Sequence, residues 1–436
     1  MNRLAPVHAV ITASLQAVAD SVLQPTIVLA AIAFLLGGSN YQVAIFPVGA
    51  GAAWAFAPVL LLLAGSLMGR SYTVVFLAGV IRTGAIIAIG IIGLRIDDLS
   101  SSRIVSSLIV SYLVYQAASA VSAQAAPGLL LSGLPRSDRG NTFRRRAVAS
   151  VIAAGVAALA CWSVFRSGET FQHSVGLLLC LAAVSALAST WFLLNITGGA
   201  SSTPSAQPQR LLSTIGGALQ AAPFRRFISF KILLALAAAV DPFLIVFGFR
   251  ELGLDVRYLG LAIVAYVAGQ VVGNVTWPRW VQGHGPRIPF QVATLLRLVM
   301  LTWVIALPTL ATSELYTDRF DDSTAAMQGF ATSFALLGLA ASAGAAANLR
   351  YVMDIAPRHA ARGYILTSNL VTGICAFAPF GVAWLLQRYE LERVLWGAIG
   401  MAIVALLASG LLIESRVHIR NASGSWRTRR QEPRVV

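Results

Sequence analysis

Apolar runs long enough to cross a bilayer, which takes about 20 helical residues, recur along the whole chain. They cover about 11–36, 44–65, 72–94, 104–131, 146–165, 174–196, 228–249, 257–277, 288–310, 328–354, 364–387 and 393–413. The runs are continuous rather than alternating, which favours helices over a barrel. Charged residues make up 11% of the chain and its mean hydropathy is +0.75; a soluble globular chain carries about 25% charged residues. The expected fold is an all-α polytopic membrane protein with twelve transmembrane helices. Cys161, Cys180 and Cys375 sit in apolar runs at no metal-binding spacing and read as small buried residues. No metal and no cofactor is expected. The first run is too long, and carries a charge, so it reads as a retained helix rather than a cleaved signal.

That first run carries Gln16, Asp20 and Gln24 four residues apart, on one helical face. A carboxylate at the centre of a bilayer costs about 2.5–3.5 kcal/mol, so the stripe should face protein or water. Pro25 follows it, removes a backbone donor and predicts a bend. The net charge of +15 is distributed by loop. Arg70, Arg136, Arg139, Arg144, Arg145, Arg146, Arg279, Arg287, Arg350, Arg358 and Arg362 fall on one side, as do Lys231 and the tail arginines. Most acids, including Asp97, Asp98, Asp321 and Asp322, fall on the other. This is the positive-inside pattern, with both termini cytoplasmic in a bacterial-type plasma (inner) membrane. The basic loops are topology signals that also meet anionic lipid, and nucleic acid is excluded as a partner.

The chain repeats itself. Leu134 begins LPRSDRGNTFRRR after the fourth run, and Ala356 begins APRHAARGYILTSN after the tenth. The first run ends in Leu36-Gly37 and the seventh in Leu252-Gly253. The expected organisation is a six-helix bundle over 1–197, a cytoplasmic linker over 198–225 and a second, pseudo-symmetric six-helix bundle over 226–414. A basic cytoplasmic tail follows over 415–436, and 211–222 reads as a short interfacial helix. A six-plus-six repeat places a substrate site where the halves meet.

On these features the chain resembles the major facilitator superfamily of transporters. The glycine-rich loops GSLMGRS, from Gly65, and WPRWVQGHGPR, from Trp277, keep the glycines and arginines of that family's loop motif but lack its Asp. No subfamily is identified. The resemblance implies that helices 1, 4, 7 and 10 line a central cavity, moving a small solute by alternating access.

Polar stripes inside the runs supply candidate contacts. Helix 4 carries Tyr112, Gln116 and Gln124, helix 8 carries Tyr266, Gln270 and Asn274, and helix 11 carries Ser368, Asn369 and Thr372. Carboxamides donate and accept, which suits a polar or zwitterionic solute; interhelical hydrogen bonding is the other reading. Asp241 stands near the midplane just before Pro242, and is the better midplane candidate than Asp20. Either acid is a candidate for proton coupling. The competing reading is static pairing with Arg82 and Arg297. At the cytoplasmic ends, Asp354 with Arg358 and Arg362, and Arg136 with Arg139, are gate candidates. The expected partners are a small solute, protons under the coupling reading, and membrane lipid, with the protein a monomer. A non-transporting assembly or sensory protein on this fold is the alternative. A membrane-embedded lipid enzyme is disfavoured because the acidic doublets lie in outer loops without histidine nearby.

Overall fold

The computed structural model describes residues 5–68, 71–133, 139–196, 216–311, 323–357 and 360–413. Every described element is helical. In chain order they are α1 (Ala5–Val22), a π-helical turn (Pro25–Leu29), α2 (Ala30–Leu35), α3 (Asn40–Met68), α4 (Ser71–Leu94), α5 (Ser101–Gly133), α6 (Arg139–Arg166) and α7 (Phe171–Ile196). The second series is α8 (Ala222–Ala238), α9 (Asp241–Glu251), α10 (Arg257–His284), α11 (Arg287–Ala311), α12 (Ser323–Ile355), α13 (Ala361–Cys375), α14 (Ala378–Leu385) and α15 (Leu391–Gly410).

Among the described residues, eleven helical spans are long and apolar enough to cross a membrane, and the chain is a multi-pass membrane protein. The remaining expected segment, 44–65, falls within α3, part of which has side chains outside the description. Of the expected interfacial helix, residues 216–220 are helical and 211–215 lie outside the described residues.

Three spans are broken rather than continuous, each at a proline. The first breaks at Gln24-Pro25, the seventh between α8 and α9 at Asp241-Pro242, and the eleventh between α13 and α14 at Ala378-Pro379. Proline cannot donate its backbone nitrogen and its ring crowds the preceding turn. The bend at Pro25 matches expectation. The break within 364–387 was not anticipated. Gln24 caps its own break: its side-chain oxygen accepts from the Ile27 amide at 2.5 Å. The first and seventh spans also end alike, with Gly37 at φ +79° and Gly253 at φ +59°. Glycine alone takes that left-handed turn without steric cost.

Packing joins α1 to α6 and α7, α4 to α5 and α7, and α3 to α5. In the second series α12 packs on α10 and α11, and α15 on α8 and α11. The α10–α12 seam is the tightest: a Cβ on Gly269 would run into the Ala335 carbonyl, and one on Gly338 into the Tyr266 carbonyl. Small residues let two backbones touch there. Contacts between the series run through α3 with α13 and α14, α6 with α10, and α2 with α9.

Candidate functional site

Among the described residues, each series holds a polar cluster around an embedded acid. In the first, Gln16 is the hub. Its amide nitrogen donates to Asp20 Oδ1 at 2.7 Å and to the Tyr115 hydroxyl at 3.1 Å. Its amide oxygen accepts from Arg82 Nη2, and from Ser189 Oγ at 3.5 Å. Four helices, α1, α4, α5 and α7, thus converge on one carboxamide. Arg82 is buried, 4% exposed, and lies 5.6 Å from the centre of the fully buried Tyr115 ring. Its charge reaches the Asp20 carboxylate, but the hydrogen bond between them is taken by Gln16. Asp20 itself is exposed, although it sits fifteen residues into a span packed on α6 and α7.

In the second cluster the acid and the base meet directly. Arg297 donates to both carboxylate oxygens of Asp241, at 2.5 and 3.1 Å. The side chains are 8% and 14% exposed respectively. A bidentate guanidinium–carboxylate pair is the strong form of this contact. Asp241 also opens α9, where free backbone amides favour an anion. Next to the pair, Gln270 Nε2 donates to the Tyr266 hydroxyl at 3.0 Å. Gln24, from the other series, is within hydrogen-bonding reach of the same hydroxyl. The broken first span therefore touches the second cluster as well as the first.

The clusters answer the alternatives left open by sequence in different ways. Asp241 and Arg297 are paired in this structure. Asp20 and Arg82 do not pair, because Gln16 stands between them. Tyr112 and Gln116 are buried and hydrogen-bonded to each other at 2.8 Å, Gln124 and Asn274 are exposed, and Asn369 is half-buried. Asp354 lies 3.4 Å from Arg350, one turn earlier on α12; its expected partners Arg358 and the side chain of Arg362, like Arg136, lie outside the described residues. Arg139 is the first residue of α6.

Lys231, counted with the cytoplasmic cations by sequence, stands near the start of the expected run 228–249 and nine residues into the seventh span, Ala222–Glu251. Its Nζ donates to Ser368 Oγ at 2.8 Å and Thr372 Oγ1 at 2.7 Å on α13, and approaches the Ser368 carbonyl at 3.4 Å. Sequence held a usable signal: the chain has one lysine, set in an apolar run, and Ser368 and Thr372 share a helical face. Tyr115 and Ser189 carried no comparable signal, since isolated hydroxyls in apolar helices usually bond their own backbone.

At one end the two series close on each other. Phe34 and Phe249 stack with centroids 6.0 Å apart, the Arg250 guanidinium lies 5.2 Å from the Phe34 ring, and Tyr41 meets Phe380 at 6.2 Å. Asp20 is fourteen residues from Phe34, about 21 Å along the helix at 1.5 Å per residue. Among the described residues no group of three or more His, Cys, Asp or Glu could hold a metal ion.

No protein-family profile and no curated protein sequence matches the chain. Solved structures do. The nucleoside transporter NupG is 14% identical with a TM-score of 0.66, over 94% of this chain and 99% of that one. A POT family peptide transporter in an auto-inhibited form is 10% identical with a TM-score of 0.66, over 94% and 96%. A bacterial homologue of the iron transporter ferroportin is 14% identical over 94% and 99%, with a TM-score of 0.66 in its inward-facing state. In its outward-facing state the score is 0.57. The shared feature is the fold, which is of the major facilitator type.

Proposed function

We propose that this chain, built on the major facilitator fold, is a secondary transporter that moves a small solute by alternating access. The two six-helix sets, 1–197 and 226–414, rock about a midplane site. The linker 198–225, the tail 415–436 and both termini face the cytoplasm of a bacterial-type plasma membrane, as the alternation of basic loops supports. The observation that carries the reading is the contrast along the first span. Its far end is closed by Phe34 against Phe249, while Asp20, about 21 Å away, keeps an exposed side although its span packs on α6 and α7. Water reaches such a carboxylate only from the opposite end, as in an inward-facing transporter. The stronger likeness to the inward-facing ferroportin homologue supports the same state.

On this reading the embedded charges divide into two tasks. The Asp241–Arg297 pair fixes the broken seventh span. Asp20 is the group that binds a cationic part of the solute or a proton, with Gln16 and Arg82 beside it, while Gln24, Tyr266 and Gln270 form the polar wall next to the Asp241–Arg297 pair. Asp354, Arg136, Arg139, Arg358 and Arg362 form the cytoplasmic gate, and the protein works as a monomer.

The test begins with thermal unfolding of the purified protein against nucleosides, short peptides, amino acids, sugars and divalent cations. A ligand at 100 times its Kd should stabilise by about 2.7 kcal/mol. The stabilising solute is then followed in proteoliposomes. Asp20→Asn should retain solute exchange and lose accumulation driven by a pH gradient. Undiminished gradient-driven accumulation in that variant would remove the coupling role, and no stabilisation by any solute would remove the transporter.

A further inference from the structure

We infer that Lys231, with Ser368 and Thr372, is an oxyanion-binding site, so that the transported solute carries a carboxylate or phosphate group. The inference rests on the transporter reading for its consequence and on geometry for the site. Lys231 stands eighteen residues before Phe249, about 27 Å from the sealed end, and so about 6 Å deeper toward the open end than Asp20. Asp20 and Lys231 lie on the first and seventh spans, the pair brought together at the seal by Phe34 and Phe249.

The ammonium's hydrogen bonds all go to neutral groups, and the Cys375 thiol is also within electrostatic reach of it. Its acceptors are two hydroxyls and a backbone carbonyl of α13, and the Phe227 ring lies 5.6 Å away. Among the described residues no carboxylate forms an ion pair with it. Arg82 has Asp20 within electrostatic reach and Arg297 has Asp241, so Lys231 is the cation left over among these embedded charges. Neutral oxygens solvate an ammonium but leave its charge in place. An uncompensated charge in a span is costly, and a bound anion would offset that cost.

The group is also reachable and aimed. Lys231 is half-buried and Thr372 is exposed. Thr372 Oγ1 donates to the Ser368 carbonyl at 2.8 Å, which fixes both residues one turn apart beneath the ammonium. Apart from five histidines, every other basic side chain in this chain is arginine. A compact ammonium on a flexible stem presents a point charge where a guanidinium would project a rigid fork. With Asp20 on the opposite series, the solute best matched has a cationic or donor-rich end and an anionic end.

The single lysine makes the test direct. Reductive methylation of the full-length protein with carbon-13 formaldehyde labels Lys231 and the N-terminal amine, and Lys231→Arg identifies the lysine resonance. In detergent, titration with sodium acetate or sodium phosphate should shift that resonance saturably beyond a chloride control of equal ionic strength. The Ser368→Ala/Thr372→Val variant should weaken the apparent affinity about tenfold, the loss expected for hydrogen bonds to a charged group. A resonance that acetate and phosphate leave where chloride does overturns the site and leaves Lys231 a tether between α8 and α13. A shift with phosphatidylglycerol alone overturns the solute reading. Binding is read without transport: solute exchange that persists with no anion-dependent shift removes the oxyanion site alone. A saturable shift in a protein that exchanges no solute keeps the site and removes the transporter.

Discussion

Removing the carboxylate of Asp241 should harm this protein more than removing the guanidinium it holds. Both side chains are largely buried, at 14% and 8% exposure, and joined by two hydrogen bonds. Deleting one partner of a buried pair costs about 3–5 kcal/mol. The two deletions are not equivalent. In Asp241→Leu the stranded Arg297 cannot shed its proton and keeps its full charge. In Arg297→Met the stranded Asp241 can take up a proton and become neutral. Asp241→Leu should therefore sit at the upper end of that range and Arg297→Met at or below the lower end. The double variant strands nothing and should return to within about 1 kcal/mol of the parent, since apolar replacement of a buried pair is often neutral or stabilising. Asp20→Leu removes an exposed hydrogen bond to Gln16, worth about 0.5–1.5 kcal/mol. Denaturant unfolding in detergent can be read with a thiol-reactive dye in a Cys180→Ser/Cys375→Ser background, because Cys161 is 0% exposed in the fold while the other two cysteines are half-buried. Additive losses in the double variant, or an Asp241→Leu midpoint no lower than that of Asp20→Leu, would refute the pairing and the division of tasks built on it.

Two further expectations test the packing and the seal. Gly269→Ala should cost about 1–3 kcal/mol because its Cβ meets the Ala335 carbonyl, a backbone atom, whereas Gly344→Ala meets open space and should gain up to about 1 kcal/mol of helix propensity. Equal unfolding midpoints for the two would contradict the α10–α12 seam. Replacing both Phe34 and Phe249 by alanine removes an aromatic pair worth about 0.5–1.5 kcal/mol. Open forms at the sealed end should rise roughly two- to tenfold, read as faster reaction of an impermeant maleimide with Tyr41→Cys in a cysteine-free background. An unchanged rate would mean that these rings do not hold the seal.

What could be read along the chain was what depends on the chain alone. A run of apolar residues must satisfy its backbone internally once in lipid, so the helices stand close to the predicted segments whatever their neighbours. Pro25 and Pro242 break their spans for a reason carried in the proline ring, and Leu36-Gly37 and Leu252-Gly253 mark equivalent ends because both need a left-handed glycine. Pro379 stands at the break before Ala378 in the same way, but Pro47, Pro58, Pro278 and Pro308 lie inside uninterrupted helices, so a proline alone does not say which span breaks. Sequence could not decide between coupling and pairing for Asp20 and Asp241. Both are single carboxylates in broken spans, each with an arginine two spans later. The outcome depends on how helices are rotated against one another: a carboxamide on α1 reaches Arg82 first in one series, and nothing intervenes before Arg297 in the other. Lys231 is the same lesson at a helix boundary. Local charge counting assigns a lysine near a helix end to a loop. The fold carries α8 nine residues further back, to Ala222, and sets that ammonium against two hydroxyls of α13, 137 and 141 residues away in sequence.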